Sequence, residues 1–231
     1  MKKELLIFGA GGDLGRQALK CFLEKDYTMI YLFDRTPSKI GFEGPGLRAI
    51  ETRDLSDEAN VEKAFSGIKP EKDKLLFLFS TIGGFDAGTN IWDTPLSQME
   101  AMLKINFMTS FLIARQFSRL VKDSAGGSIC FTSSMAASRP EAKRSSYAVS
   151  KSALNYLVSL LALEGREIGL SANAVSPFII DTPGNRTWVK DPGIMVSPEE
   201  IGNLVHTIFL NFRSLSGNVF EMPGNLKIHA S

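Results

Sequence analysis

The stretch from Leu5 to Gly15, LLIFGAGGDLG, decides the fold that the rest of the sequence has to satisfy. Leu5–Phe8 is an apolar run that predicts a strand, and the amphipathic run Gly15–Lys25 predicts a helix. The turn between them is rich in glycine, so its backbone can approach a ligand closely. The helix N-terminus supplies free N–H groups at the positive end of a dipole. This order of strand, turn and helix predicts a dinucleotide-binding turn rather than a bare tight turn.

The candidate nucleotide contacts of this first unit lie in the turn and at the end of the next strand. In the turn they are Gly9, Gly12, Asp13, Leu14 and Gly15. Asp34 ends the second predicted strand, where a carboxylate accepts hydrogen bonds from ribose hydroxyls and repels a 2′-phosphate, which favours NAD(H). Arg35 leaves NADP(H) open, because a guanidinium can pair with that phosphate or stack on adenine. Asp34 could also simply start a turn.

Strand-like and helix-like patterns alternate along the remaining chain, and no repeat or Pro/Gly-rich linker divides it. Further strands are predicted at Met29–Phe33, Leu75–Phe79, Ser128–Thr132, Ser171–Val175 and Val219–Met222. Further helices are predicted at 57–65, 98–121, 147–164 and 198–210. The alternation predicts one α/β domain over residues 1–231, with a doubly wound, mostly parallel sheet covered by helices on both faces. Residues 182–197 are the least regular, and we expect 183–197 to form a substrate loop.

Composition excludes several classes of function. The 231 residues carry a net charge of +1, which gives no electrostatic footprint for nucleic acid or a membrane surface. Cys21 and Cys130 lie in apolar runs and are expected to be buried thiols. His206 and His229 have no neighbours at metal-ligand spacing, so no metal site is predicted. The first apolar run is too short for a signal peptide, and we expect a cytoplasmic protein.

Tyr147 and Lys151 lie four residues apart at the start of a predicted helix, so both side chains can point into one pocket. A free tyrosine titrates near 10 and is a poor base at neutral pH. A neighbouring ammonium favours the phenolate and lowers that pKa. Tyr147 is therefore a candidate to exchange a proton with an alcohol or carbonyl while a nicotinamide exchanges a hydride. The pair alone is a common accident of amphipathic helices.

Further residues at fixed positions make the chain resemble the short-chain dehydrogenase/reductase family over nearly its full length. Ser134 lies thirteen residues before Tyr147, which is the family's spacing for the serine that orients the substrate oxygen. Asn106 lies where the family has the asparagine of its catalytic tetrad, which holds a water of the proton relay. The resemblance implies a seven-stranded Rossmann fold and the catalytic set Asn106, Ser134, Tyr147 and Lys151. Singly, Ser134 could cap a strand end, with Ser133 as a competitor.

The resemblance also implies nucleotide contacts outside the first unit. Asp54-Leu55 resembles the family's pair that contacts adenine. Pro177 is followed by Ile180 and Thr182, whose backbone and hydroxyl would bind the nicotinamide carboxamide. The remaining implied contacts are Thr81, Ile82 and Gly83 after the fourth strand, together with Tyr147 and Lys151.

The sequence departs from the family pattern in three places. Asp13 replaces a glycine, and its charge would repel a pyrophosphate unless it turns away or caps the helix. Ser80–Gly83 replaces the family's Asn-Asn-Ala-Gly, so a hydroxyl would have to substitute for the strand-stabilising asparagine. Phe178 follows Pro177 in place of glycine, and its ring would narrow the space near the nicotinamide.

Three functions remain open. The first is an NAD(P)-dependent oxidoreductase that acts on a carbonyl or secondary alcohol. The second is a quinonoid dihydropteridine reductase-like enzyme, because 83–88 and 181–186 resemble that branch, although the branch lacks the serine that Ser134 matches. The third is a catalytically silent, nucleotide-sensing relative, which usually loses the tyrosine or the lysine.

The expected partners are a small carbonyl or alcohol substrate and further copies of the chain. The substrate pocket is expected to be walled by 85–90, 135–146 and 183–196. Arg139, Lys143 and Arg144 precede Tyr147 and could suit an acidic substrate, or they could form a solvated loop. The resemblance implies a homotetramer or a homodimer, paired through the helices predicted at 98–121 and 147–164.

Overall fold

The computed structural model of the chain describes residues 1–224, so residues 225–231 of the predicted domain, His229 among them, lie outside the described residues. The strands are β1 (Lys2–Phe8), β2 (Met29–Asp34), β3 (Leu47–Glu51), β4 (Lys74–Ser80), β5 (Gly126–Thr132), β6 (Leu170–Pro177), β7 (Ile179–Ile180), β8 (Met195–Val196) and β9 (Val219–Met222). The helices are α1 (Asp13–Leu23), α2 (Glu58–Phe65), α3 (Leu96–Met102), α4 (Thr109–Lys122), α5 (Ser145–Glu164), α6 (Pro183–Arg186) and α7 (Pro198–Leu210).

Seven of these strands form one sheet in the order β3-β2-β1-β4-β5-β6-β9. Each neighbouring pair in the described sheet is parallel, so the prediction of a mostly parallel sheet is confirmed in a stricter form. The strand order reverses between β1 and β4. In a doubly wound sheet, ligands bind at the carboxyl ends of the strands beside such a reversal.

Two apolar cores lie on opposite faces of the sheet, because successive residues of a strand point to opposite sides. Leu6 and Phe8 of β1 belong to the core shared with α2, α4 and α5. Leu5 and Ile7 belong to the core shared with α1 and α7. Helices therefore cover both faces, as the alternation of patterns predicts.

The strand β3 was not among the strands predicted from apolar runs. Its sequence LRAIE has no buried residue, since β3 is the edge strand and pairs on one side with β2. An edge strand with charged, exposed side chains carries no continuous apolar run.

The predicted continuous helix over residues 98–121 is wrong in its middle. α3 and α4 are joined by a π-helical segment, Leu103–Met108, which contains Asn106. The hydroxyl of Thr109 donates to the carbonyl of Lys104, five residues earlier, at 3.1 Å. Such π-helical turns are frequent at functional sites, and apolar periodicity alone does not reveal them.

The stretch 182–197, predicted to be irregular, has an ordered beginning and end. α6 begins after Thr182, and β8 pairs with β7 in a small parallel sheet. Met195 and Val196 are buried, and the N–H of Asp181 donates to the carbonyl of Val196 at 2.8 Å. The end of the predicted substrate loop is therefore anchored to the core.

Candidate active site

A cleft of about 600 Å³ opens at the carboxyl ends of the strands, beside the reversal of strand order. Four segments line it: the glycine-rich turn, the end of β2, the loop after β3, and the loop after β4 with the π-helical segment. The lining residues are Gly9, Gly12, Asp13, Leu14, Phe33, Asp34, Arg35, Thr52, Arg53, Asp54, Leu55, Ser56, Thr81, Ile82, Gly83, Ala101, Lys104, Ile105 and Thr109. Eleven of the predicted nucleotide contacts are among them.

The turn after β1 requires glycine at two positions. Gly9 has a φ of +78°, and a Cβ there would lie 2.5 Å from the Thr81 hydroxyl. A Cβ on Gly15 would lie 2.2 Å from the carbonyl oxygen of Gly9, a contact that no side chain tolerates. Gly15 does not line the cleft, and instead lets α1 pack against the turn. A bare backbone at the start of a helix is the cradle that a pyrophosphate needs, so the turn fits a dinucleotide.

Asp13 does not cap the helix. The N-cap of α1 is Gly12, which makes no side-chain cap bond, and Asp13 is the first helical residue. Its carboxylate instead forms an ion pair with Arg16 at 3.2 Å. The interpretation of Asp13 as a cap is therefore wrong. The charge that would repel a pyrophosphate is partly neutralised by Arg16, a residue that the sequence analysis did not consider.

Asp34 lies over the glycine-rich turn and also starts a turn of its own. Its Oδ2 accepts from the N–H of Gly11 and its Oδ1 from the N–H of Thr36, each at 2.9 Å. The interpretation of Asp34 as a turn-starting residue is therefore confirmed, and its contact with the ribose stays a prediction. Each carboxylate oxygen can accept more than one hydrogen bond, so these bonds leave room for ribose hydroxyls.

Asp54, the predicted adenine contact, lines the cleft in the loop after β3 and is held in place there. It accepts from the hydroxyl of Ser56 at 2.6 Å and pairs with Lys104 at 3.1 Å. The bonds from Ser56, then the ammonium of Lys104, lower the pKa of Asp54 to about 2. Leu55 is buried beside it. The ion pair joins the loop after β3 to the π-helical segment across the cleft.

Thr81 provides a hydroxyl in the segment Ser80–Gly83 that replaces the family's asparagines. Its hydroxyl lies 2.9 Å from the carbonyl oxygen of Phe8 and 3.0 Å from that of Gly9, to either of which it can donate. This bond ties the end of β4 to the glycine-rich turn. The expected substitution of a hydroxyl for the asparagine is therefore present in the structure.

Gly83 connects the cleft to the predicted catalytic residues. A Cβ on Gly83 would lie 2.9 Å from the Nζ of Lys151 and 3.0 Å from the Oδ1 of Asn106. Both side chains therefore reach the wall of the cleft at the same point. No side chain larger than hydrogen fits between them and the backbone.

Asn106 is fully buried, and its side chain connects the loop after β4 to α5 through hydrogen bonds. Its Oδ1 accepts from the N–H of Gly84 at 2.9 Å, and its Nδ2 lies 3.0 Å from both the carbonyl of Gly84 and the hydroxyl of Ser150. Its backbone carbonyl accepts from Ser110 at 2.8 Å. These bonds give Asn106 a structural role, and its part in a proton relay stays a prediction.

Lys151 is buried, and its ammonium donates to the carbonyl of Thr132 at 2.8 Å. Burial disfavours the charged form and lowers the pKa of Lys151 to about 8. A buried lysine near neutrality responds strongly to any anion or cation that binds beside it.

Tyr147 is half-buried one turn before Lys151. Burial raises the pKa of Tyr147 above its usual value, while the Ser134 side chain and then the charge of Arg144 act in the opposite direction. The prediction that Lys151 lowers the pKa of Tyr147 is therefore wrong for the protein without nucleotide. Burial has the largest effect on this pKa, and Lys151 is not among the groups that lower it.

Ser134 is distinguished from its neighbour Ser133 by its contacts. The hydroxyl of Ser133 donates to the Oδ1 of Asn155 at 2.6 Å. The Oγ of Ser134 accepts a bond from the N–H of Ala136 at 3.3 Å. The Ser134 side chain also lowers the pKa of Tyr147 through a hydrogen bond, which Ser133 does not do.

Comparisons with known proteins agree with this geometry. A family model described as short chain dehydrogenase matches residues 3–193. The chain belongs to the short-chain dehydrogenase family. Members of this family are oxidoreductases that bind a nicotinamide nucleotide.

Named relatives of this short-chain dehydrogenase differ in substrate. Dihydropteridine reductase of Dictyostelium discoideum is 25% identical over 193 residues, which is 83% of this chain and 80% of the relative. The NAD-dependent glycerol dehydrogenase of Listeria innocua is 25% identical over 83% of this chain and 76% of its own. A gluconate 5-dehydrogenase from Burkholderia cenocepacia, solved with NADP and tartrate, has a TM-score of 0.83 at 18% identity, covering 97% of this chain and 95% of that chain. That likeness shows the fold.

Three residues of this short-chain dehydrogenase that were predicted to bind the nicotinamide, Pro177, Ile180 and Thr182, do not line the cleft. The carbonyl of Ile180 accepts from the Nδ2 of Asn185 at 2.8 Å, and the Oγ1 of Thr182 accepts from the N–H of Asn185 at 3.2 Å, capping α6. Phe178 is 37% exposed, and its backbone N–H donates to the carbonyl of Met222.

Sequence reasoning missed two residues that line the cleft of this short-chain dehydrogenase, Arg53 and Lys104. Arg53 stands directly before Asp54, so a basic residue beside a predicted adenine contact was a signal that could have been used. The position of Lys104 depends on the course of the backbone, which no local pattern gives. Phe85, which belongs to the predicted pocket wall 85–90, packs on Tyr147.

Within residues 1–224, no group of three or more histidine, cysteine or acidic side chains is arranged to hold a metal ion. Of the helices described there, none combines the length and the apolar character needed to cross a bilayer.

Proposed function

We propose that this chain is an NAD(P)-dependent oxidoreductase that interconverts a carbonyl and a secondary alcohol, with Tyr147 as the general acid and base. The observation that carries the proposal is the meeting of the two halves of the site at Gly83. The nucleotide cleft ends there, and Lys151 and Asn106 reach the same point. Tyr147 lies one turn before Lys151 on α5, within the influence of Ser134.

Each side chain has a role that its contacts support. The nicotinamide, when bound, supplies or accepts the hydride. Ser134, whose side chain acts on Tyr147, would donate its hydroxyl hydrogen to the substrate oxygen. Lys151 would hold the nucleotide ribose and stabilise the phenolate, and Asn106 would keep the loop at Gly83 in register with α5.

The protonation state of Tyr147 suits the reductive direction. Because burial raises its pKa, the phenol carries its proton at neutral pH and can donate it to a carbonyl oxygen. The return reaction requires the phenolate, which a protonated Lys151 and an oxidised nicotinamide would favour through their positive charges.

NAD(H) is the favoured cofactor, with NADP(H) as the alternative. Asp34 supports NAD(H), because its carboxylate faces the turn where the adenosine ribose would bind. Arg35 and Arg53 line the same cleft and would support a 2′-phosphate. Among the relatives, one is named NAD-dependent and one was solved with NADP, so both occur in the family.

A screen of NADH and NADPH oxidation against aldehydes, ketones and keto acids tests this function. We expect at least one carbonyl to be reduced, with NADH preferred by about tenfold or more, since an unpaired carboxylate beside a phosphate costs more than 1.4 kcal/mol. Tight NADH binding without turnover across the panel would instead favour a catalytically silent relative. A preference for NADPH would contradict the proposal that Asp34 selects NAD(H).

A quinonoid dihydropteridine reductase is the second candidate, favoured by the relative of that name in Dictyostelium discoideum. The Ser134→Ala variant separates the two, because a planar imine needs less help from a serine than a carbonyl does. If the protein is a carbonyl reductase, we expect Ser134→Ala to lower its activity with carbonyls by about 10²-fold. If the second candidate is correct, we expect little loss of activity with quinonoid dihydropterin. Ser133→Ala is the matched control, since Ser133 bonds to Asn155 instead of facing the substrate. A large loss in both assays would leave the pterin activity without support.

We also propose that the chain assembles as a homodimer or homotetramer through α4 and α5. Both helices expose apolar side chains, among them Phe111 on α4 and Val149, Tyr156 and Leu163 on α5. Val149, Tyr156 and Leu163 are seven residues apart and lie on one face of α5, and exposed apolar side chains grouped in this way indicate a contact site. Light scattering after size exclusion would give the subunit number, and a monomer at micromolar concentration would contradict the assembly. The cytoplasmic location, the single domain over 1–231 and the substrate loop at 183–197 stay predictions.

A further inference from the structure

An exposed aromatic ring forms one wall of the space above Tyr147. Phe85, in the loop after β4, leaves 62% of its surface exposed. Its ring lies edge-to-face against that of Tyr147, with centroids 4.9 Å apart and an interplanar angle of 73°. Phe85 therefore covers one side of the Tyr147 ring and lies beside any molecule bound there.

Arg144 holds a positive charge at the same place. It precedes α5 as its N-cap residue, and its guanidinium carbon lies 5.8 Å from the centre of the Phe85 ring. A guanidinium at this distance from an aromatic face is attracted to it. The charge also reaches the phenol, since Arg144 is one of the groups that lower the pKa of Tyr147.

The charge of Arg144 is only partly compensated. Its Nη2 pairs with the Oε2 of Glu141 at 3.2 Å. A guanidinium has five N–H donors, so this single contact leaves most of them for another anion. The neighbouring Arg139 is committed elsewhere, because it pairs with Glu221 at 2.5 Å.

The wall that carries Phe85 is fixed to the beginning of α5. The N–H of Gly88 donates to the carbonyl of Lys143 at 2.8 Å. The hydroxyl of Ser146 lies 3.4 Å from the carbonyl of Asp86 and accepts from the Nε2 of Gln98 at 3.2 Å. Arg144, Phe85 and Tyr147 are therefore held in one arrangement before a substrate arrives, which lowers the entropic cost of binding.

We propose that Arg144 is a specificity-determining residue that binds an anionic group, a carboxylate or a phosphate, on the carbonyl substrate. The anion would pair with the free edge of the guanidinium beside Phe85 while the carbonyl oxygen meets Ser134 and Tyr147. The proposal rests on the proposed function and adds the chemical class of the substrate.

Matched pairs of probes test the proposal. They are acetoacetate against methyl acetoacetate, levulinate against methyl levulinate, and dihydroxyacetone phosphate against dihydroxyacetone. For the wild type we expect kcat/KM to favour the anionic member of at least one pair by about tenfold or more, as a charge-assisted hydrogen bond allows. The keto acids and the phosphate separate a carboxylate from a phosphate ligand.

Three variants measure how much Arg144 contributes to the preference for the anionic member of each pair. Arg144→Gln should reduce the preference for the anionic member by about tenfold or more, mainly through KM, and should change the neutral member by less than about threefold. Arg144→Lys should keep part of the preference, because it keeps the charge without the fork of donors. Arg166→Gln is the control, since Arg166 is exposed in the segment Gly165–Ile168 that follows α5, at the end opposite Tyr147.

Two results would overturn the proposal. One is an unchanged ratio between the anionic and neutral members in Arg144→Gln. The other is an equal loss for both members, which would make Arg144 a support for Phe85 alone. If no pair is turned over, calorimetry with the NADH-saturated protein measures the affinity for each acid in wild type and in Arg144→Gln. Equal affinities in the two proteins would overturn the proposal. Failure of the proposed function is seen separately, as no NADH oxidation with any carbonyl of the wider screen.

Discussion

Tyr147→Phe is expected to lower kcat by about 10²–10⁴-fold, the range that a general acid contributes, while NADH binding changes by no more than about tenfold. The phenol is half-buried one helical turn before Lys151, and its raised pKa keeps it protonated at neutral pH. Phenylalanine keeps the ring and its packing against Phe85 but has no proton to give. Steady-state kinetics with the best carbonyl of the screen, together with NADH titration by fluorescence, measures both effects.

Tyr156→Phe is the matched control for this variant. Tyr156 lies on the same helix, and 69% of its surface is exposed. We expect its activity to stay within about twofold of wild type, as for surface substitutions in general. Full activity in Tyr147→Phe would remove Tyr147 from the chemistry, and loss of NADH binding in the same variant would show a structural effect instead.

Gly15→Ala is expected to weaken NADH binding by at least about tenfold and to lower the free energy of unfolding by about 1–3 kcal/mol, the usual cost of overpacking. Its added Cβ would lie 2.2 Å from the carbonyl oxygen of Gly9 and 2.9 Å from the Cα of Ala10. Both of these atoms belong to backbone, which cannot move aside as a flexible side chain can. The first turn of α1 must therefore separate from the turn that cradles the pyrophosphate. Calorimetric titration and chemical denaturation measure the two quantities.

Gly67→Ala provides the comparison for Gly15→Ala. A Cβ on Gly67 would meet the guanidinium of Arg48 at 3.6 Å, which is an ordinary contact. Stability and NADH affinity should both stay close to wild type. If Gly15→Ala binds NADH as tightly as Gly67→Ala does, the glycine-rich turn is not the pyrophosphate site.

The fold could be predicted from the sequence wherever residues are buried on a regular period. Val219–Met222 and Pro198–Leu210 have the predicted bounds. β3 escaped prediction because its residues are exposed at the edge of the sheet. The π-helical segment at Leu103–Met108 escaped because it keeps the apolar pattern of the flanking helices while changing the hydrogen bonds.

The candidate site could be predicted where residues lie at fixed spacing, and less well where the environment decides. Gly9, Asp34 and Asp54 line the cleft as predicted. The expected lowering of the pKa of Tyr147 did not follow, because burial of the phenol raises that pKa, and burial cannot be read from four-residue spacing. Phe85 and Arg144 meet through a loop whose course the sequence does not determine locally.

Hydride transfer itself is tested most directly with NADH that carries deuterium at C4, prepared separately in each of its two stereochemical forms. The wild type would reduce the carbonyl that it turns over fastest, and mass spectrometry would locate the label. We predict one deuterium at the former carbonyl carbon from one stereoisomer and none from the other, because a fixed cleft presents one face of the ring. Consumption of labelled NADH with no deuterium in the product from either form would contradict the account.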